Sequence, residues 1–411
     1  MNEHTSGHAP RAALATVFLA VLIDLMGFGI ILPLLPFYAS AFHASAIQIG
    51  LLYSIYSFSQ LIFSPIWGGL SDRYGRRPIM LLSTFGAAVA YVIFGLAHTL
   101  WLLFFSRLIA GIMGGNISTA QAYVADVTTH EDRAKGMGMI GAAFGIGFVA
   151  GPAIASVLIH PGFLDWIGFV HKNKFAVPGF FAAFMSTASF MLVLFKLPET
   201  VHASQKSETD VPRAGIFSKV FWQTVTQKKA LFPLLISSAF LLSFSQSSLY
   251  STFPLFCNQH LKMTADKVGL LFVYMGVIAI FIQGMFIKTL TKKFGEENLF
   301  LLGSIGMALG LVLIGFAASW PVLMLFLGLM SIGGSLILPT LNSLISKQAD
   351  PENVGAALGS AQGIASLGRA LGPTWGGWLY EGWFRLPFLV TGTLLSLMIA
   401  VGVKVKRLRR N

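Results

Sequence analysis

The stretch Gly68-Gly69-Leu70-Ser71-Asp72-Arg73-Tyr74-Gly75-Arg76-Arg77 decides the fold, because it is a short charged link between two long apolar runs. The run before it covers residues 47–70, and the run after it covers residues 78–97. About 20 helical residues, each rising 1.5 Å, cross the roughly 30 Å of hydrocarbon in a bilayer. We therefore expect these residues to join two antiparallel membrane helices. A basic link of this kind is typical of the cytoplasmic side of a membrane.

The composition extends this interpretation to the whole chain. Of 411 residues, 55% are hydrophobic and 11% are charged, against about 25% charged in ordinary soluble domains. The single cysteine, Cys257, excludes an internal disulfide and a multi-cysteine metal site. The net charge of +12 would suit nucleic acid, but the lysines and arginines lie in short gaps between apolar runs, which favours a multi-pass membrane protein.

The apolar runs predict twelve membrane spans and an all-α fold. Most basic residues fall in alternate links, which predicts that both termini are cytoplasmic. The first apolar run is too long for a signal peptide, so we expect no cleavage. The predicted spans lie near residues 12–40, 46–70, 77–98, 100–124, 134–159, 175–196, 230–257, 265–288, 297–317, 320–346, 354–378 and 385–404.

The two halves of the chain look like a repeat. Gly75 and Gly295 are 220 residues apart, each in a basic link after a span. A Gly-x-x-x-Gly-Pro pattern ends at Pro152 and again at Pro373, 221 residues later. We therefore expect two pseudo-symmetric six-helix bundles with a central cavity near the bilayer midplane. The predicted division is an N-terminal bundle over residues 1–197, a cytoplasmic linker over 198–229 and a C-terminal bundle over 230–411.

The opening stretch resembles the loop between the second and third spans of the major facilitator superfamily of secondary transporters. The pattern Gly-x-Leu-x-Asp-Arg-x-Gly-Arg-Arg matches at every position of that motif. The resemblance implies a conformational latch at the cytoplasmic surface, in which charged pairs hold one access state. The residues predicted for this latch are Gly68, Asp72, Arg73, Gly75, Arg76, Arg77, Asp126 and Arg133.

Asp24 is the strongest candidate for proton coupling. Of the sixteen acidic residues, it alone falls well inside a predicted span. An ionised carboxylate there costs a few kcal/mol, so Asp24 should be protonated or paired with a cation. A carboxylate that merely holds helices together by hydrogen bonds is the structural alternative. The sequence from Asp24 to Pro36 resembles the first span of bacterial tetracycline-type efflux proteins, where such an aspartate is linked to proton exchange.

Two further motifs point to the drug:proton antiporter group. Arg107, in Arg107-x-x-x-Gly111, resembles the fourth-span arginine of proton-dependent facilitators, which implies a part in proton transfer. An arginine bonded to backbone carbonyls at a kink is the alternative. Gly147, Gly151 and Pro152 resemble the fifth-span antiporter signature, although close helix packing alone also explains small residues there.

Neutral polar and aromatic residues within the spans are candidates for substrate contact. Such a mixture suits an amphiphilic, drug-like molecule, although each side chain could instead serve as a helix contact. The candidates are Gln60, Asn116, Gln121, Gln246, Gln283, Asn342, Gln362, Phe58, Phe144, Phe244 and Tyr274.

These features together predict a transporter that exports amphiphilic small molecules in exchange for protons. The alternative is the same fold moving a metabolite, such as an organic acid or a siderophore, by symport or export. An intramembrane enzyme is disfavoured, because all nine histidines lie at span ends or in loops. We expect no metal and no cofactor beyond the coupling protons, a monomer in contact with lipid, no nucleic-acid partner, and a bacterial inner membrane location.

Overall fold

The computed structural model describes residues 9–129, 132–168, 173–200, 231–349 and 354–410, and within those ranges the regular structure is helical. Helices satisfy every backbone polar group internally, which a chain in hydrocarbon requires. They are α1 (Ala9–Ser40), α2 (Ala46–Tyr74), α3 (Arg76–Gly95), α4 (Leu100–Met113), α5 (Asn116–Val127), α6 (Arg133–Ile159), α7 (Pro161–Trp166), α8 (Ala176–Lys196), α9 (Phe232–Leu261), α10 (Ala265–Ile280), α11 (Ile287–Phe294), α12 (Glu296–Ile314), α13 (Trp320–Gln348), α14 (Val354–Gly382) and α15 (Leu386–Arg410).

Eleven helical segments in the described ranges are long and apolar enough to cross a membrane. They match eleven of the twelve predicted spans, with α4 and α5 forming one span and α10 and α11 forming another. The one predicted span left over, near residues 354–378, is α14, which has 29 residues, as many as α13. Its glycines and serines, together with Arg369, lower its hydropathy, but its length still suits a span. The all-α multi-pass membrane fold is confirmed.

The link between the second and third spans is shorter than predicted. The sequence predicts a loop over residues 68–77, but α2 continues to Tyr74 and α3 begins at Arg76. Gly75 alone separates the two helices, with a φ of 104° that favours glycine. The charged residues therefore lie on helical turns, where side chains four residues apart can pair.

Two spans are interrupted within their length. The fourth span breaks between α4 and α5 at Gly114 and Gly115, although its hydropathy is continuous. The eighth span contains a π-helical turn, Phe281–Phe286, between α10 and α11. Such turns occur often at functional sites.

The chain divides into two compact units. The first comprises Met1–Phe42, Phe58–Asp210 and Ala265–Val273, and the second comprises His43–Ser57, Val211–Thr264 and Tyr274–Asn411. The ranges interleave, because the start of α2 belongs to the second unit and the start of α10 to the first. The predicted boundaries near residues 197 and 230 stay a prediction, since most of the predicted linker, residues 201–230, lies outside the described residues.

Within the first unit, α1 packs on α6 and α8, and α3 packs on α4 and α8. Its core is centred on α1, where Val17, Val21 and Leu25 pack with Tyr123 of α5 and Ile140 of α6. This stripe recurs every four residues, as expected for one face of a helix.

The second unit repeats the packing pattern of the first. Here α9 packs on α14 and α15, and α12 packs on α13 and α15. In each unit, therefore, the first helix packs on the fifth and sixth spans of its half, and the third packs on the fourth and sixth. The predicted six-plus-six repeat is visible in this helix pairing.

Candidate functional site

Asp24 lies near the middle of α1 and binds the break in the fourth span. Its Oδ2 accepts a hydrogen bond from the side-chain amide of Asn116, the first residue of α5. Its Oδ1 is buried and has no hydrogen-bond partner among the described residues. A half-satisfied carboxyl group in a membrane span is costly when ionised. A proton on Oδ1 would remove that charge and leave the bond from Asn116 intact.

Side chains from neighbouring spans donate hydrogen bonds to the backbone carbonyls at the helix break that positions Asn116. The Gln60 amide donates to the Gly114 carbonyl at 2.8 Å, and the Trp67 indole donates to the Ile112 carbonyl at 2.5 Å. The Ser83 hydroxyl donates to the Met113 carbonyl. Three successive carbonyls that lose helical partners are thus satisfied by α2 and α3, as a break inside a membrane requires.

Arg107 lies on α4, the part of the fourth span before the helix break. It is 2% exposed, donates to the Ser106 hydroxyl at 3.2 Å and lies over the rings of Tyr91 and Phe94, at 5.8 and 5.1 Å from their centroids. Among the described residues Asp24 forms no salt bridge, so a direct Asp24–Arg107 pair is not observed. The role of Arg107 in proton transfer stays a prediction.

Tyr91 contacts both helices that carry the predicted coupling residues, α1 through Gly27 and α4 through Arg107. Its hydroxyl packs against Gly27, one turn beyond Asp24, where an added Cβ would come within 2.9 Å of the Tyr91 oxygen. The Arg107 guanidinium lies over the same ring, 5.8 Å from its centroid. Sequence reasoning missed Tyr91, because nothing in the third span marks which residue faces α1.

Four charged residues of the first unit form a network at the predicted cytoplasmic end, and we call it the Arg76 network. Arg76 is 2.5 Å from Asp72 and 2.9 Å from Asp126. The carboxylate of Glu199 accepts from the backbone amides of Arg76 and Arg77 at 2.9 and 3.1 Å. The carboxylate thus caps the first turn of α3, where the helix dipole favours a negative charge.

Gly75 is required by this cap. A Cβ at that position would collide with the Glu199 carboxylate, and its positive φ would strain any other residue. Glu199 was missed as a latch residue. Its position directly after the sixth span, close to the arginine-rich link, is the signal that could have identified it.

The side chains of the remaining predicted latch residues contact groups outside the Arg76 ion pairs. Arg77 donates to the Leu194 carbonyl at 2.7 Å, and Arg133 donates to the Ala125 carbonyl at 3.2 Å. Arg73 lies over the ring of Tyr74, 5.4 Å from its centroid. The Gly68 carbonyl accepts from Ser71, whose hydroxyl also accepts from Arg76. Of the predicted set, Arg76 forms ion pairs with Asp72 and with Asp126.

The residues of the antiporter signature form a close helix contact in the first unit. A Cβ on Gly147 would come within 2.7 Å of Leu25 Cβ, and a Cβ on Gly151 within 2.6 Å of Gly29 Cα. Pro152 lies at the same contact with Gly29. The signature residues therefore pack α6 closely against α1 next to Asp24, and their part in antiport stays a prediction.

The substrate candidates of the first unit fall into three groups. Gln60 and Asn116 already bind the helix break and Asp24. Phe144 stacks on Phe148, with ring centroids 6.4 Å apart, and Phe148 meets Phe28 edge to face. Phe58 and Gln121 are exposed, Phe58 by 52%.

In the second unit the predicted substrate residues are dispersed. Phe244 is buried between Phe240 and Trp375, at centroid distances of 5.4 and 6.1 Å. Tyr274 donates to the Met324 carbonyl at 3.3 Å, and Gln246 is half-buried. The other three candidates of this unit are exposed, namely Gln283, Asn342 and Gln362. None of the substrate assignments is tested by this geometry.

The described residues contain no cluster of three or more histidine, cysteine or acidic side chains that could hold a metal ion. Asp24 itself offers a carboxyl group between two spans, a group that can take up and release a proton.

Comparison with known proteins agrees with this architecture. The sequence profile of the Major Facilitator Superfamily matches residues 17–296 and 235–410. The chain is 31% identical over 393 residues to the tetracycline resistance protein, class E, of Escherichia coli, covering 89% of this chain and 91% of that protein. It is 26% identical over 393 residues to multidrug resistance protein 2 of Bacillus subtilis (strain 168), covering 92% of each chain.

A solved structure is also similar over almost the whole chain. The crystal structure of the human organic anion transporter MFSD10 (TETRAN) superposes with a TM-score of 0.69 at 25% identity, covering 96% of this chain and all of that one. The resemblance inferred from the sequence motifs is confirmed by these relatives. The chain belongs to the Major Facilitator Superfamily, and it is accordingly an integral, multi-pass membrane transporter of small molecules and not an enzyme.

Proposed function

We propose that the protein exports amphiphilic, drug-like small molecules in exchange for protons, by alternating access. The observation that carries this proposal is the Asp24 carboxyl group, whose Oδ2 accepts a hydrogen bond from Asn116 and whose buried Oδ1 has no partner in the described part of the chain. Tetracycline and multidrug resistance proteins among the relatives support this substrate class. In this proposal protons are the coupling ion, and no other cofactor takes part.

In this proposal substrate is exchanged for protons because substrate binding and proton binding at Asp24 oppose each other. A proton arriving from outside neutralises the carboxylate and removes the cost of its burial. Substrate binding in the same unit favours loss of that proton. The Arg76 network would hold one access state and break in the other. This scheme places the termini and the Arg76 network on the cytoplasmic face of a bacterial inner membrane, with the protein acting as a monomer.

The test is drug susceptibility of an efflux-deficient bacterial host that expresses the wild type, Asp24→Asn or an empty vector. The compounds should include tetracycline and lipophilic cations such as ethidium. Asp165→Asn is the matched control, because Asp165 is an exposed carboxylate on the short helix α7. We expect resistance in the wild type and the control, and loss of resistance in Asp24→Asn at equal expression.

A second candidate function is transport of an organic anion. The similarity to a human organic anion transporter favours it. Uptake by inside-out vesicles separates the two functions, because export of a drug appears there as uptake that a proton gradient drives. If no compound distinguishes the wild type and its variants from the empty vector, and the vesicles accumulate an organic acid instead, the drug-export proposal is wrong.

A further inference from the structure

A cavity of 420 Å³ lies in the second unit between α11 and α13. Its volume is in the range of about 300–1,000 Å³ that is common for small-ligand sites. Lys288, Thr291 and Lys292 line it from α11, Glu296 lines it from the start of α12, and Ser343 lines it from α13. It lies at the span ends that the sequence predicts to be cytoplasmic.

The internal repeat shows what this cavity corresponds to in the first half. At the 220-residue offset that relates Gly75 to Gly295, Lys292 matches Asp72 and Glu296 matches Arg76. Lys347 follows Asp126 by 221 residues, the same spacing as that between Pro152 and Pro373. The second half therefore repeats three residues of the Arg76 network, Asp72, Arg76 and Asp126, with their charges reversed.

The ion pair between Arg76 and Asp126 has a counterpart in the second half. Glu296 is 2.6 Å from Lys347 and accepts from Ser343 at 2.8 Å. This pair reproduces the pairing of Arg76 with Asp126 in the first unit, where the distance is 2.9 Å.

The ion pair between Arg76 and Asp72 has no counterpart among the described residues of the second half. Asp72 and Arg76 are 2.5 Å apart, but across the described residues Lys292 and Glu296 form no salt bridge within 4.0 Å, and the cavity lies beside both of them. Lys288 likewise has no carboxylate partner in the described ranges. Lys288 and Lys292 are four residues apart on one helical face, where like charges repel. An anion between them would relieve that repulsion.

We propose that this cavity binds a phosphate group, carried by a lipid headgroup or by a free phosphate compound. Two ammonium groups supply the charge and the Thr291 hydroxyl supplies a further hydrogen bond. Basic pockets between membrane helices at the cytoplasmic surface suit anionic headgroups. The proposal does not depend on which substrate the protein transports.

The test is native mass spectrometry of the purified full chain with phosphatidylglycerol, and separately with inorganic phosphate as competitor. We compare the wild type, Lys288→Gln/Lys292→Gln and Lys293→Gln. Lys293 is the matched control, because it lies on the same helix over the ring of Phe294, 5.4 Å from its centroid, and does not line the cavity. We expect the double variant to bind phosphatidylglycerol about 25-fold more weakly, from roughly five-fold for each lysine, and the control to bind it like the wild type.

The thermal midpoints without lipid should agree among the three proteins, since the substituted lysines are exposed. Displacement of the lipid by millimolar inorganic phosphate in the wild type alone would indicate that the free anion suffices, whereas retention would assign the site to the headgroup. Equal weakening in the double variant and in Lys293→Gln would mean diffuse surface attraction and would overturn the proposal. So would unchanged binding in the double variant.

Discussion

At the residue scale, Asp24 and Asn116 form the contact on which proton coupling would depend. The sequence marks Asp24 because a carboxylate within an apolar run is conspicuous. It does not mark Asn116 as its partner, since that pairing requires the break at Gly114 and Gly115 and the packing of α1 beside it. The sequence suggested Asn116 only as a substrate contact. In the structure its side-chain amide donates a hydrogen bond to Asp24.

Asn116→Ala should therefore weaken proton-driven transport by about ten-fold or more, since a hydrogen bond to a charged group contributes about 1.5–3 kcal/mol. The measurement is the initial rate of drug uptake by inside-out vesicles at a fixed proton gradient. Gln121→Ala is the control, because Gln121 lies on the same helix and is exposed. Equal rates in wild type and Asn116→Ala would show that this bond has no part in coupling.

At the element scale, helix ends and helix contacts could be predicted only in part. Hydropathy located the spans, and the glycine patterns located the contacts of α6 and α14. The interruption of the fourth span could not be predicted, because its carbonyls are satisfied by Gln60, Trp67 and Ser83, which lie 30 to 54 residues away in sequence. The cap of α3 by Glu199 is similarly distant in sequence.

Glu199→Gln tests this cap. The substitution keeps the shape of the side chain but removes the charge that faces the α3 amides, so we expect a loss of about 0.5–2 kcal/mol, the range for helix caps. The measurement is the thermal unfolding midpoint in detergent, and Asp165→Asn is the control for acid-to-amide effects, because Asp165 is exposed on α7. If Glu199→Gln unfolds at the same midpoint as the wild type, Glu199 does not stabilise α3 as a cap.

Gly151→Ala tests the contact of α6 with α1. The new methyl group would approach Gly29 Cα to 2.6 Å, and overpacking of this kind costs about 1–3 kcal/mol. We expect a lower thermal midpoint and reduced transport. Gly145→Ala is the matched control on the same helix, where an added Cβ meets nothing within 4 Å among the described residues. If both substitutions have the same effect, close packing does not explain the glycine.

At the scale of the whole molecule, the six-plus-six repeat was predictable because two motif pairs share almost the same offset, and the helix pairing within each unit follows it. The reversal of charge in the second half was not recognised, since the sequence showed only the missing match to Asp72. The ion pair of Glu296 with Lys347 depends on the approach of α13 to α12, which hydropathy does not reveal.

The predicted orientation can be tested because the single native cysteine, Cys257, is fully buried. In intact cells, a membrane-impermeant maleimide should label His98→Cys and should not label Arg407→Cys until the membrane is permeabilised. The reason is the bias of basic residues toward cytoplasmic links. The wild type provides the background control, and labelling of Arg407→Cys in intact cells would reverse the orientation.

The most direct test of proton-coupled export is drug-induced proton release from the purified protein. A drug to which the wild type confers resistance is added to the wild type, Asp24→Asn and Asp165→Asn in weakly buffered detergent solution with a pH dye. We expect release from the wild type and from Asp165→Asn, and none from Asp24→Asn even though that variant still binds the drug. Undiminished release from Asp24→Asn would contradict the assignment of Asp24 as the coupling residue.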